Sequence, residues 1–207
     1  MALLQGYVQP AVPTARGAGP ENIMQLQLGE IGVSEVLPRY GALSWSGQLY
    51  YASNTGAQAL SVASATFTGL AVGNPAGSGK NLMIIDASFA LGAVVAAVSA
   101  VAIGWAPIVA LTTGTSTGPK GAPTLVGTSG GSVANVGASA TLGAAPTVIR
   151  PILGIDWVTG GTPVAQVAAK DEIAGTILIP PGQMICMEAL VAAVTGVCSF
   201  TWAELPV

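Results

Sequence analysis

Histidine, the side chain that most often carries acid–base or metal chemistry, is absent from all 207 residues of this chain. Its absence removes the commonest general base, the commonest metal ligand and every Ser-His or Cys-His nucleophile pair. Nine carboxylates remain, mostly solitary. The one adjacent pair, Asp171-Glu172, directly follows Lys170 and reads as a solvated turn ahead of a strand. Glycoside hydrolysis would need two carboxylates brought together from distant positions. Asp156 beside Trp157 is the best single candidate for contacting a sugar, although an acid next to an aromatic at a strand end is commonly incidental. Residues 73–81, GNPAGSGKN, share glycines and a lysine with a phosphate-binding loop, but the spacing fails. Asn74 stands where the first glycine belongs and Asn81 where the magnesium-holding hydroxyl belongs, and NLMIIDASF continues as a strand rather than a helix. A turn rich in Gly and Pro describes it better. Cys186 and Cys198 fall in the last two strand-like runs. They could face each other across a hairpin; the preferred alternative is two small buried hydrophobes in a reducing compartment. No catalytic, cofactor-binding or metal-binding residue is assigned, no cofactor is implied, and the chain is expected not to be an enzyme.

The elements that would position any site are strands. Residues 87–111, ASFALGAVVAAVSAVAIGWAPIVAL, carry no charge and are long enough for a membrane helix of about 20 residues. Their pattern nevertheless has period two. Val95, Ala97, Ser99, Val101, Ile103 and Trp105 alternate with Ala96, Val98, Ala100, Ala102 and Gly104, large residues falling mostly on one parity. β-branched residues, Pro107 and flanks without clustered Lys or Arg favour buried strands over a span.

Charged residues are 7% of the chain, against roughly 25% in an ordinary soluble domain. Hydrophobic residues make up 51%, with 28 Gly and 14 Pro. So few charges would leave a lone monomer without the usual protection against association, so the surface is expected to be covered by copies of itself or by partners. Net charge is −3, and the basic residues Arg16, Arg39, Lys80, Lys120, Arg150 and Lys170 are scattered singly. No patch is left to neutralise phosphates, which argues against direct nucleic-acid binding. The amino terminus has no basic leader region and its apolar stretch is interrupted by prolines, unlike a secretory signal.

Along the chain, residues 1–40 hold Pro10, Pro13, Pro20 and Pro38 and read as an extended arm. Within it the alternation IMQLQL at 23–28 could add a strand to a neighbouring sheet edge. Residues 41–207 read as one β-sandwich domain, with a Gly/Ser/Thr/Ala-rich excursion at about 112–146. Strand signals fall at 46–53, 65–72, 81–93, 95–107, 138–142, 147–155, 174–179, 183–191 and 197–205, separated by turns such as Pro180-Pro181-Gly182. Nothing reads as a helix. Eight to ten strands at this spacing indicate a sandwich, jelly roll or barrel. Trp45, Trp105 and Trp202 lie in strand-like runs and are expected in the core, and Trp157 in the open.

Two pieces carry a resemblance. Residues 69–85, GLAVGNPAGSGKNLMII, form a strand, an Asn-Pro turn and a strand. Residues 179–207, IPPGQMICMEALVAAVTGVCSFTWAELPV, read as a closing hairpin. Both resemble stretches of tailed-bacteriophage virion proteins, most clearly over 65–107 and 174–207. The resemblance implies a jelly-roll-like sandwich with an amino-terminal arm, commonly assembled as a homotrimer. It implies a head decoration (cement) protein in the virion, made in the host cytoplasm, that binds the major capsid protein lattice and stabilises the head. The alternative role is a receptor-binding tail-fibre or spike-tip subunit. Neither role implies a membrane partner.

Overall fold

A computed structural model of the chain describes residues 40–54, 56–61, 68–93, 95, 97–108, 111–113, 121–125, 131–142, 145–155 and 167–207, together with two short upstream strands. Most of the expected arm and the pair Asp156-Trp157 lie outside the described residues. In chain order the elements are β1 (Ile23–Gln25), β2 (Ile31–Val33), α1 (Gly41–Trp45), β3 (Leu49–Ser53), β4 (Gln58–Leu60), β5 (Thr68–Gly73), β6 (Lys80–Leu91), β7 (Ser99–Pro107), β8 (Leu111–Thr113), β9 (Ala122–Pro123), β10 (Asn135–Leu142), β11 (Thr147–Ile155), β12 (Ala168–Ile179), β13 (Gln183–Ala189) and β14 (Val194–Pro206).

These strands build an antiparallel two-sheet β-sandwich. One sheet runs β11-β7-β13-β5-β10-β8; the other runs β12-β6-β14-β3-β9, with β4 also on β14. The charge-free run 87–111 divides into the end of β6, all of β7 and the first residue of β8. Among the described residues β1 and β2 pair only with each other, with Ile23 opposite Val33.

The connections matter more than the strands. β5, β7, β11 and β13 belong to one sheet and β6, β12 and β14 to the other. The links β5–β6, β6–β7, β11–β12, β12–β13 and β13–β14 therefore all cross between layers. The carboxyl-terminal segment is not the hairpin its sequence suggests. β13 pairs with β5 and β7, whereas β14 pairs with β3, β4 and β6. A short turn of small residues and flanking strands gives the same local signal whether the second strand pairs with the first or crosses to the opposite layer.

Period-two burial supplies the core. Leu82, Ile84, Ala87 and Phe89 of β6 meet Cys198, Phe200 and Trp202 of β14 and Ile185 and Met187 of β13 in one buried cluster. Opposite Thr201 and Trp202 the ladder skips Ile85 of β6, and this extra residue moves the inward set of β6 from Leu82 and Ile84 to Ala87 and Phe89. Tyr50 stacks on Trp202 with ring centroids 6.4 Å apart. Outside this layer, the short α1, which five residues are too few to reveal as a helical period, places Tyr40 and Leu43 against Leu49, Ile85 and Ala203.

β11 and β12 are sheet edges. β11 changes register twice and contains Pro151, and β12 changes register between Glu172 and Ile177, where Ala174 adopts φ 55°. Such irregularities shorten the stretch of open edge that a foreign strand can use.

Candidate functional site

The segment GNPAGSGKN is occupied with holding the fold together. Asn74, fully buried, donates its amide N–H groups to Lys80 O (2.8 Å) and Ile179 O (2.9 Å) and accepts from Ser78 Oγ (2.7 Å). Its backbone N–H donates to Gln183 O and its carbonyl accepts from Gly182 N. The partner segment is a tight turn in which Gln183 N reaches Pro180 O at 3.2 Å. Pro181 presets the first central position, and Gly182 takes the left-handed φ of 84° that the second requires. Lys80 turns away from the loop to Glu204 Oε2 at 2.8 Å, and this hydrogen bond raises its pKa.

Charge is settled internally elsewhere too. Arg150 Nε lies 2.8 Å from Asp171 Oδ2 as an ion pair without hydrogen-bond alignment, and Lys170 Nζ lies 3.4 Å from Asp86. All three described basic side chains are thus paired. The pair Asp171-Glu172 sits inside β12, opposite Ala87 and Asp86, rather than in a turn. β12 extends upstream of its apolar stretch because an edge strand tolerates polar residues that a central strand would not.

Two of the described glutamates are buried, and neither was singled out by its sequence setting. Glu204 accepts from Lys80 Nζ, from Ser132 Oγ and from Val133 N (2.7 Å), tying β14 to the approach to β10. Glu188 has no such support: both carboxyl oxygens lack a hydrogen-bond partner. It alternates with the core residues Met187 and Ala189, so it occupies the face of its sheet away from the shared core, with its carboxyl over Gly104 beside Pro146. Desolvation pushes its pKa up to about 7. An outward parity predicts solvent, which is why the sequence gives no warning of this burial.

Cys186 and Cys198 are both free and buried. They sit in opposite sheets, and Cys198 alone of the two joins the shared core, so they do not face each other. Burial raises both thiol pKa values, that of Cys198 to about 12, which leaves them unreactive.

The tryptophans correct an expectation. Trp202 is buried, but Trp45 is 61% exposed on α1 and Trp105 is 38% exposed. Trp105 has the inward parity of Val101 and Ile103 but lies near the end of β7. There the two sheets part and leave a groove of about 440 Å³. Trp105, Ile149, Ile177, Leu178, Pro180 and Met184 make its wall apolar. Leu178 is 55% exposed at the rim. One polar atom in the lining, Gln183 Oε1, is buried without a hydrogen-bond partner. This groove lies between β11 and β12, the end strands of the two sheets among the described residues.

Among the described residues no group of three or more Cys, Asp or Glu side chains could hold a metal ion, and no helix is long and apolar enough to cross a membrane. No protein-family model, curated protein or solved structure matches the chain.

Proposed function

We propose that the chain is a structural subunit of a virion, a head decoration protein of jelly-roll type that binds the capsid lattice and performs no chemistry. The observation that carries this reading is the nesting of strand pairs. β5 pairs with β13, β6 with β12 and β7 with β11, the order left when one antiparallel ribbon is folded over on itself, as in a jelly roll. β3 with β14 continues the same nest on its outside, and the excursion between β7 and β11 departs from it by contributing β8 and β10 to the first sheet.

The surface supports the same reading. The described cations are already paired, while Val148, Ile149, Leu178 and Val191 are exposed. Neutral, partly apolar surface suits close packing against other subunits, where an unpaired charge would be costly to bury.

The receptor-binding alternative draws on the exposed Trp45 and Trp105, because aromatic rings offer stacking area to sugars. Imaging of intact particles carrying a labelled copy distinguishes the two. Label distributed over the head supports decoration, and label confined to the tail tip replaces it with receptor binding.

A further inference from the structure

Two unsatisfied features of this chain fit each other. The first is the β1–β2 hairpin, which belongs to neither layer of the sandwich. An isolated two-stranded hairpin is marginally stable at best in water and needs a surface to rest on. The second is the apolar groove between β11 and β12. We propose that the groove is the seat for the β1–β2 hairpin of a second copy, so that copies are joined by exchanged arms. This inference rests on the reading of the chain as an assembling subunit and names the contact that holds the assembly.

Length, charge and edge geometry all favour this occupant. The last regular stretch of β12, Ile177 to Ile179, pairs with β6 on one side and with no described strand on the other. The register shift just upstream limits a visiting strand to a few residues, and β1 and β2 have three each. The groove lining carries no charged side chain, so it asks for an uncharged guest. Residues 23–28, IMQLQL, are uncharged and alternate apolar residues with glutamine. A segment of this composition offers apolar residues to Trp105 and Leu178.

The arm also leaves from the right place. Tyr40 packs in the cluster that contains Met83, and Met83 lies directly across from Leu178 on the groove rim. The link from Val33 to Tyr40 spans at most about 25 Å when extended. Within one chain, β1 pairs only with β2 among the described residues, which points to a seat on a neighbour. Reciprocal contacts of this kind close under rotational symmetry.

The test uses disulfide trapping in the full-length protein, where Cys186 and Cys198 are buried and do not compete. One tagged version carries Leu178→Cys, a tolerant site at 55% exposure. A second, differently tagged version carries a cysteine at Met24 or, in a parallel series, at Gln25, because a paired strand offers adjacent residues to opposite faces. The two are co-expressed and oxidised. The expected result is a linked species bearing both tags, reduced about tenfold or more when the first cysteine is moved to Val191, outside the groove. Absence of any link overturns arm exchange. So does a chain carrying both cysteines that links only within itself. Sedimentation velocity separates the two levels of failure: an oligomer without links overturns the exchange alone, and a monomer overturns the assembly reading as well.

Discussion

The side-chain amide of Asn74 is hydrogen-bonded at 2.9 Å to the carbonyl of Ile179, 105 residues further along the chain. The same amide holds Lys80 O, so one side chain clasps the β5–β6 crossing to the β12–β13 crossing. Both crossings are layer changes, and the clasp fixes how the two sheets are stacked at this end.

Replacing Asn74 with alanine removes the amide donor to Ile179 O and leaves Lys80 O with Ser78 Oγ as its side-chain partner, at an expected cost of about 2–4 kcal/mol. Ser78→Ala, which loses one hydrogen bond to the asparagine, costs about 1 kcal/mol. Chemical denaturation of the three proteins checks this. Equal midpoints for Asn74→Ala and the native chain would contradict the clasp.

Gly196 on β14 gives a sharper steric test. A Cβ there would run into the ring of Phe89 and lie 2.6 Å from Ala90 O, so Gly196→Ala must displace a core ring or a ladder carbonyl. A loss of about 3 kcal/mol is expected, the upper range for overpacking. Gly154 on β11 has nothing within 4 Å of its added Cβ, and Gly154→Ala should stay within about 0.5 kcal/mol of the native chain. Thermal unfolding of the pair settles the comparison.

Glu188 makes stability depend on pH. Its carboxyl titrates at about 7 when folded, against 4.5 for an unperturbed glutamate, so the folded state holds the proton more tightly than the unfolded chain. Its contribution is therefore fully present below about 4.5, declines as the pH rises, and is lost above about 7. Glu188→Gln cannot ionise and should gain stability relative to the native chain across that window. Denaturation midpoints at a series of pH values read this out; a difference that stays constant from acid to neutral pH would refute it.

What the sequence made legible was local. The parity of Val101 and Ile103 against Ala102 and Gly104 predicted a strand, and Pro180-Pro181-Gly182 predicted a turn, because both are written in neighbouring residues. The partner of each strand was not legible. Gln183 to Ala189 and Val194 to Pro206 look like the arms of a hairpin, but they join opposite sheets, a choice set by core packing far along the chain. Trp105 reads as core by parity and is half in the open, since parity does not tell where two sheets diverge. The groove draws on β7, β11, β12 and β13 together, so no contiguous motif marks it. Glu188 was hidden for a similar reason, its face being covered by distant chain.

Assembly gives a prediction independent of role. With 7% charged residues and several exposed apolar side chains, the chain should sediment as a closed oligomer, a trimer by preference, at micromolar concentration. A monodisperse monomer would contradict it.

The most direct test of the decoration role compares particles made with and without this protein. A protein that binds only the assembled lattice stabilises it by mass action, so particles lacking the chain should still assemble and infect but release their genomes at lower temperature. Adding the purified protein back should restore the native release temperature. Particles that lack it, hold their genomes as firmly as native ones and fail to adsorb to cells would contradict the account.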